Sequence, residues 1–309
     1  MRLGLFFLLG ALPISAQPPV DAVLRQMVPP ASTSVLGIRM ASLRNTDFYR
    51  RMMQQGKLPM FERFGKETGI DPRQDVRELL FVNTPSGGVL MARGTFTPLT
   101  NPVDAAARLR DAKLTRHGQY IVWSNGPGAF CYLDATLAAA GDTRSVEAAL
   151  DEWTSGTHKA GTQFLDKAKS VDPASQVWGF STTFGGFLAA NLPRAVSVNG
   201  SPALDFSKIF RGLENIWFEM DFSKGFKANL HGLAATERDA ENLRDTARGL
   251  VGLGRLTTPE NRPELLRMWD GVTAEQRARA VAVRADVPFE LLDQLVALMG
   301  TADPKGRAR

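Results

Sequence analysis

Cysteine is almost absent: the 309 residues contain one, Cys131. A lone cysteine excludes an internal disulfide framework, and a chain of this length needs none, because its core can bury enough apolar surface to fold unaided. Histidine is nearly as scarce, with three. His117, His158 and His231 fall in a turn, a linker and a strand, without the spacing of metal ligands, so neither a metal nor a cofactor is expected. No apolar run reaches the roughly 20 residues of a membrane helix, so no transmembrane span is expected in the mature chain. Neither charge sign dominates, 37 Lys and Arg standing against 32 Asp and Glu. The signs interleave, as in Thr236-Glu237-Arg238-Asp239-Ala240-Glu241. That is a solvated face and not a phosphate-binding stripe, and nucleic acid is not an expected partner.

Catalytic motifs are missing too. Gly179-Phe180-Ser181-Thr182-Thr183 lacks the second glycine of a nucleophile elbow. Gly249-Leu250-Val251-Gly252-Leu253-Gly254 is not followed by the lysine and hydroxyl of a phosphate loop, and it reads as the end of a helix. Asp71, Asp134, Asp142 and Asp286 lie near turns, where capping is the default carboxylate role. Cys131 sits between Phe130 and Tyr132-Leu133, surroundings that disfavour a thiolate. No catalytic or metal-binding residue is assigned, and no binding residue can be named. Trp123, Trp178, Trp217, Trp269 and Tyr120 are expected mostly in the core, although tryptophans at hairpins could line a groove for a peptide, glycan or lipid.

What is present begins with an export signal. Met1-Arg2 gives a positive start, 3–12 an apolar run rich in Leu and Phe, and Pro13-Ile14-Ser15-Ala16 a break ending in a small residue. This reads as a signal peptide over 1–16 with cleavage before Gln17, and a periplasmic or secreted protein is expected. An uncleaved N-terminal anchor is the alternative. Cys131 lies too far downstream to be the acylated first residue of a lipoprotein.

The mature chain reads as the same pattern twice. Gly87 and Gly94 bracket a strand of six residues, and Gly225 and Gly232 bracket another at the same spacing. The first unit, 17–160, reads as a helix over 20–27, a strand over 35–40, helices over 43–54 and around 60–64, and a turn and short helix at Asp71-Pro72. A hairpin of 78–83 with the strand after Gly87 follows, then a helix over 101–112 and strands over 120–123, 129–133 and 137–140. Asp142 is expected to cap a helix whose Val146, Ala149, Leu150 and Trp153 recur at helical intervals. After a connection over 155–174, the second unit, 161–300, reads as a strand over 176–182, helices over 184–192 and 206–213, and a hairpin of 215–220 with 226–234. Thr236 and Asp239 form a capping-box pattern for a helix lined by Leu243, Ala247, Leu250 and Val251. A strand over 280–285 and a helix carrying Leu291, Leu295 and Leu298 complete it. The basic end 301–309 is expected to fray.

The expected fold is therefore α+β: two similar units, each a curved antiparallel sheet covered by helices. A single mixed sheet with unrelated halves is the alternative. The opening order, a helix, then Val28-Pro29-Pro30, a strand over 35–40 and a helix over 43–53, resembles exported bacterial proteins of unknown function built from repeated α+β units. That resemblance carries no active site with it. The sequence thus points to an exported, non-catalytic protein that binds a ligand or another envelope protein. A hydrolase using dispersed carboxylates is the rival, and a structural component anchored by its N-terminus is a third reading.

Overall fold

The computed structural model describes residues 20–54, 65, 70–96, 112–166, 171–172, 174–183, 195–196, 204–205, 212–261 and 263–291. Twelve strands form one continuous antiparallel sheet that runs through both halves of the chain. At its middle β1 (Ser34–Ile38) pairs with β8 (Val177–Ser181), Leu36 lying opposite Gly179. On the β1 side follow β2 (Val76–Thr84), β3 (Gly87–Gly94), then β7 (Leu137–Asp142), β6 (Gly128–Asp134), β5 (Tyr120–Asn125) and the edge strand β4 (Lys113–His117). Beyond β8 come β11 (Leu213–Asp221), β12 (Phe226–Ala234), β14 (Ala280–Val287) and the edge strand β13 (Val272–Arg277). The two-residue strands β9 (Ala195–Val196) and β10 (Leu204–Asp205) make a separate ribbon.

The hairpins follow from glycine. Gly87 (φ 144°) and Gly225 (φ 118°) take backbone angles that side chains resist, each just before or at the start of a returning strand. The first strand of each hairpin carries a register shift near its beginning, at Val76/Glu78 and at Leu213/Asn215. At the centre, Gly37 leaves room for the fully buried Trp178 indole on the neighbouring strand; a Cβ there would overlap the ring.

Helices cover the two halves differently. In the first, α1 (Ala22–Arg25), α4 (Thr143–Ser155) and α5 (Lys159–Asp166) lie on the face that presents Val35, Leu80, Val82, Val89 and Trp178, and together they enclose the main core. The opposite face packs Leu79, Ala92, Phe130 and Tyr132 under α2 (Met40–Leu43) and α3 (Asp47–Gln54) through Met40 and Tyr49. Phe48 of α3 stacks on Phe222 at 4.2 Å, joining the first half to the β11–β12 turn. In the second half the long α6 (Glu237–Thr257), with α7 (Pro263–Asp270) beside it, crosses β12, β13 and β14. The buried cluster beneath is small: Ala234, Ala240, Leu243 and Val281.

Several expected elements differ. The helix read over 43–54 is two, because Thr46 interrupts it: its Oγ1 accepts the Tyr49 amide and donates to the Leu43 carbonyl. Asp71-Pro72 opens a turn without a helix, Asp71 accepting from the Arg73 amide. His117 ends strand β4 and is not in a turn, and β4 and β13 are strands beyond those expected. The connection over 155–174 contains α5, which spans the boundary drawn between the units at 160/161. Leu213 begins β11 instead of ending a helix. Asp142 precedes α4 but does not cap it; its Oδ2 accepts the Gly88 amide at 2.7 Å, tying α4's start to the β2–β3 hairpin. Thr236 does cap α6, accepting the Asp239 amide at 3.1 Å, while its hydroxyl donates to the Asp239 carboxylate at 2.6 Å. The glycines at 249, 252 and 254 do not end a helix, for α6 runs through all three. The helices expected around 60–64 and over 101–112, 184–192 and 206–213 lie wholly or largely outside the described residues, as do Leu295, Leu298 and the tail.

Candidate functional site

The described residues beneath α4 form a packed core, whereas those beneath α6 leave a space. Between α6 and the sheet lies a cavity of about 260 Å³ lined by Ile216, Leu230, Val281 and Val283 from the strands, Leu243, Leu250 and Val251 from α6, and Trp269 from α7. Among the described residues Thr246 supplies the one hydroxyl in the lining, and the Trp269 indole N–H is the one other polar side-chain group. Leu230, Leu250, Val251, Trp269 and Val283 remain part-exposed, so the cavity reaches solvent. Its roof is an unusual stretch of helix. Added Cβ atoms at Gly249 and Gly252 would meet nothing within 4 Å, whereas one at Gly254 would overlap the Trp269 indole. Glycine at 254 thus lets α7 approach α6 closely and sets Trp269 against the cavity, at a helix-propensity cost of about 1 kcal/mol per glycine. Above the edge strand, Arg244 bonds the Gln276 side chain and Arg248 the Ala274 carbonyl, pinning α6 on that side.

Such a lining dictates chemistry. Water filling it would find one hydroxyl and one indole N–H, too few to give each buried water the two to four partners it needs. A charged or strongly polar ligand would lose its hydration without replacement. An apolar chain or ring loses nothing and gains about 0.8 kcal/mol per methylene buried.

The residues singled out in the sequence are not gathered into a catalytic group. Asp71 ion-pairs with Arg73 at 2.8 Å, which holds its carboxyl below the usual range. Asp134 accepts the Thr136 amide at 2.6 Å, and Asp286 pairs with Lys227 at 3.6 Å. Burial pushes the Cys131 thiol up to about 12, leaving it protonated. His117 bonds Asp151 at 2.6 Å, and His158 bonds the Gln26 carbonyl at 3.0 Å. Trp123 and Trp178 are buried, Trp153 donates to the Tyr120 hydroxyl at 2.9 Å, and Trp217 stacks on His231.

One carboxylate pair was not foreseen. Burial raises Glu78 from the ordinary 4.5 to about 7, and Asp21 is its neighbour, donating its amide to Glu78 Oε1 at 3.2 Å. The Asp21 carboxylate is already committed. It accepts the Val23 and Leu24 amides as the cap of α1 and lies 3.8 Å from Arg93 Nε. Neither residue lines the apolar cavity. The pair fastens α1 to β2. Only the oddity of a glutamate within the apolar strand Val76–Thr84 could have flagged it.

Among the described residues no group of three His, Cys, Asp or Glu side chains could hold a metal ion, and no helix is long and apolar enough to cross a membrane. No family model and no curated protein matches the chain. It is similar in structure to TP0453: crystal form III superposes over 91% of this chain and 98% of that one, with a TM-score of 0.54 at 9% identity. Forms I and IV give TM-scores of 0.46 and 0.44 at 9% and 8% identity. At that identity the likeness is one of fold alone, an α+β arrangement shared over nearly the full length of both chains.

Proposed function

We propose that this is an exported, non-catalytic binding protein whose ligand is an apolar chain held between α6 and the outer strands of the second half. The observation that carries this reading is the 260 Å³ cavity whose wall, among the described residues, is almost wholly apolar. A dry cavity of about 150 Å³ accepts benzene, so this one has room for about ten carbon atoms. Burying ten methylenes yields about 8 kcal/mol before the costs of association. After at least about 4 kcal/mol of those costs, at most about 4 kcal/mol remains, and a dissociation constant of about 1 mM or weaker is expected.

Export is supported by the positive, apolar and small-residue segments of 1–16. A common origin of the two halves is supported by the order outward from the β1–β8 pair: a hairpin, then a meander whose last strand joins that hairpin. The meander has four strands in the first half and two in the second.

Titration with decanoate tests the binding reading. The wild-type protein should bind it saturably, and Ala247→Phe, which fills the cavity from α6, should weaken binding at least tenfold without lowering the melting temperature. Equal binding by the two proteins, or none by either, refutes it. Mass spectrometry of the protein recovered from a bacterial envelope tests export separately, Gln17 being the expected first residue and Met1 the contrary one.

A further inference from the structure

The face of β11–β14 turned away from α6 carries a second cavity. One row of paired residues across these strands reads Trp217, His231, Ala282, Glu275. The first two fill their places as a stack, with ring centroids 5.1 Å apart and planes 8° from parallel. The third does not, since a methyl group stands where its neighbours carry rings or a long side chain. A cavity of about 240 Å³ results, lined by Trp217, His231, Glu275, Arg277, Ala282 and Arg284. Alternation of side chains along the strands places it on the opposite side of the sheet from the apolar cavity, for Ile216, Leu230 and Val283, which adjoin Trp217, His231 and Ala282, line that one.

The charges around this slot are unevenly matched. Glu275 is paired with Arg284 at 3.2 Å. Glu219, which faces His231, accepts from the Asn229 side chain at 2.9 Å and the Asp172 amide at 2.8 Å. Arg279 pairs with Glu214 at 3.5 Å. The Gln276 side chain donates to the Ala278 carbonyl and accepts from Arg244. Arg277 alone of the charged lining residues makes no side-chain hydrogen bond or ion pair among the described residues, and it is exposed.

We propose that this slot binds a planar aromatic or heteroaromatic ring bearing an anionic group, the ring entering over Ala282 against His231 and the anion meeting Arg277. A flat ring matches a gap bounded on one side by an imidazole, and a guanidinium offers paired donors to a carboxylate or phosphate. The slot is independent of the apolar cavity, so either can fail without the other.

The test is proton NMR of the His231 ring, assigned by its loss in His231→Gln, during titration with indole-3-acetate, adenosine monophosphate and uncharged indole. At least one of the two anions should shift the His231 resonances saturably, and which one does so separates a carboxylate source from a phosphate source. Indole should bind at least tenfold more weakly. Arg277→Gln should reduce the anion's affinity to that of indole, and Ala282→Leu should abolish the shift. No saturable shift with either anion, or shifts that survive Arg277→Gln unchanged, would overturn the proposal. Arg277 is exposed on an edge strand, so that variant stays informative even if Ala282→Leu disturbs the sheet.

Discussion

Glu78 is the residue whose surroundings contradict its chemistry most. It titrates near 7 against an ordinary 4.5 because burial disfavours its charged form. A raised folded-state value means that its contribution to stability is complete below pH 4.5 and is lost as pH rises to about 7. The size of that loss is on the order of 3 kcal/mol. Glu78→Gln keeps an acceptor for the Asp21 amide and removes the ionisation. Urea unfolding should therefore find the variant more stable than wild type at pH 8 and equal to it near pH 4, whereas parallel pH profiles would contradict the assignment. Gly37→Ala is expected to act in the other direction. Its methyl would overlap the buried Trp178 indole, and overpacking of this kind costs about 1–3 kcal/mol, which a lowered urea midpoint would report. The sequence marked neither residue, because a half-buried glutamate and a glycine opposite a tryptophan become meaningful only once the strand register is known. It did place Cys131 correctly, since three apolar neighbours in a strand suffice to bury a thiol.

At the scale of elements, hairpins were legible and edges were not. Glycine at the turns, with apolar alternation around it, located β2–β3, β5–β6 and β11–β12. The edge strands β4 and β13 read Lys113-Leu114-Thr115-Arg116-His117 and Val272-Thr273-Ala274-Glu275-Gln276-Arg277, polar enough to pass for loops. That polarity is the usual protection of an unpaired strand edge. The glycines of α6 misled for a related reason: glycine commonly ends helices, but here it admits the neighbouring Trp269. The three positions should respond differently to alanine. Gly249→Ala and Gly252→Ala enter open space and should each stabilise the protein by up to about 1 kcal/mol. Gly254→Ala should destabilise it and change Trp269 fluorescence, and the same response at all three positions would contradict the packing described.

For the whole molecule the telling contrast is between a helix packed on a core, α4, and a helix that roofs a cavity, α6. The first half buries Val146, Ala149 and Leu150 of α4 completely, while the matching apolar stripe of α6, Ala247, Leu250 and Val251, borders a cavity. Helical periodicity identified both stripes and could not tell them apart, because an apolar face looks the same in sequence whether it meets side chains or space. The α+β class and the antiparallel pairing were readable for the opposite reason: they depend on local alternation and turns. The joining of both halves into one sheet through β1 and β8 depends on a contact between strands more than 130 residues apart, which no local pattern encodes.

The most direct test of the cavity beneath α6 as a binding site is quenching of Trp269 by a bromine-labelled ten-carbon fatty acid. Bromine within the cavity should quench the wild-type protein saturably, and Trp269→Phe should lose that component while Trp217→Phe retains it. Quenching that never saturates, or that persists undiminished in Trp269→Phe, would mean that the cavity between α6 and the sheet stays empty.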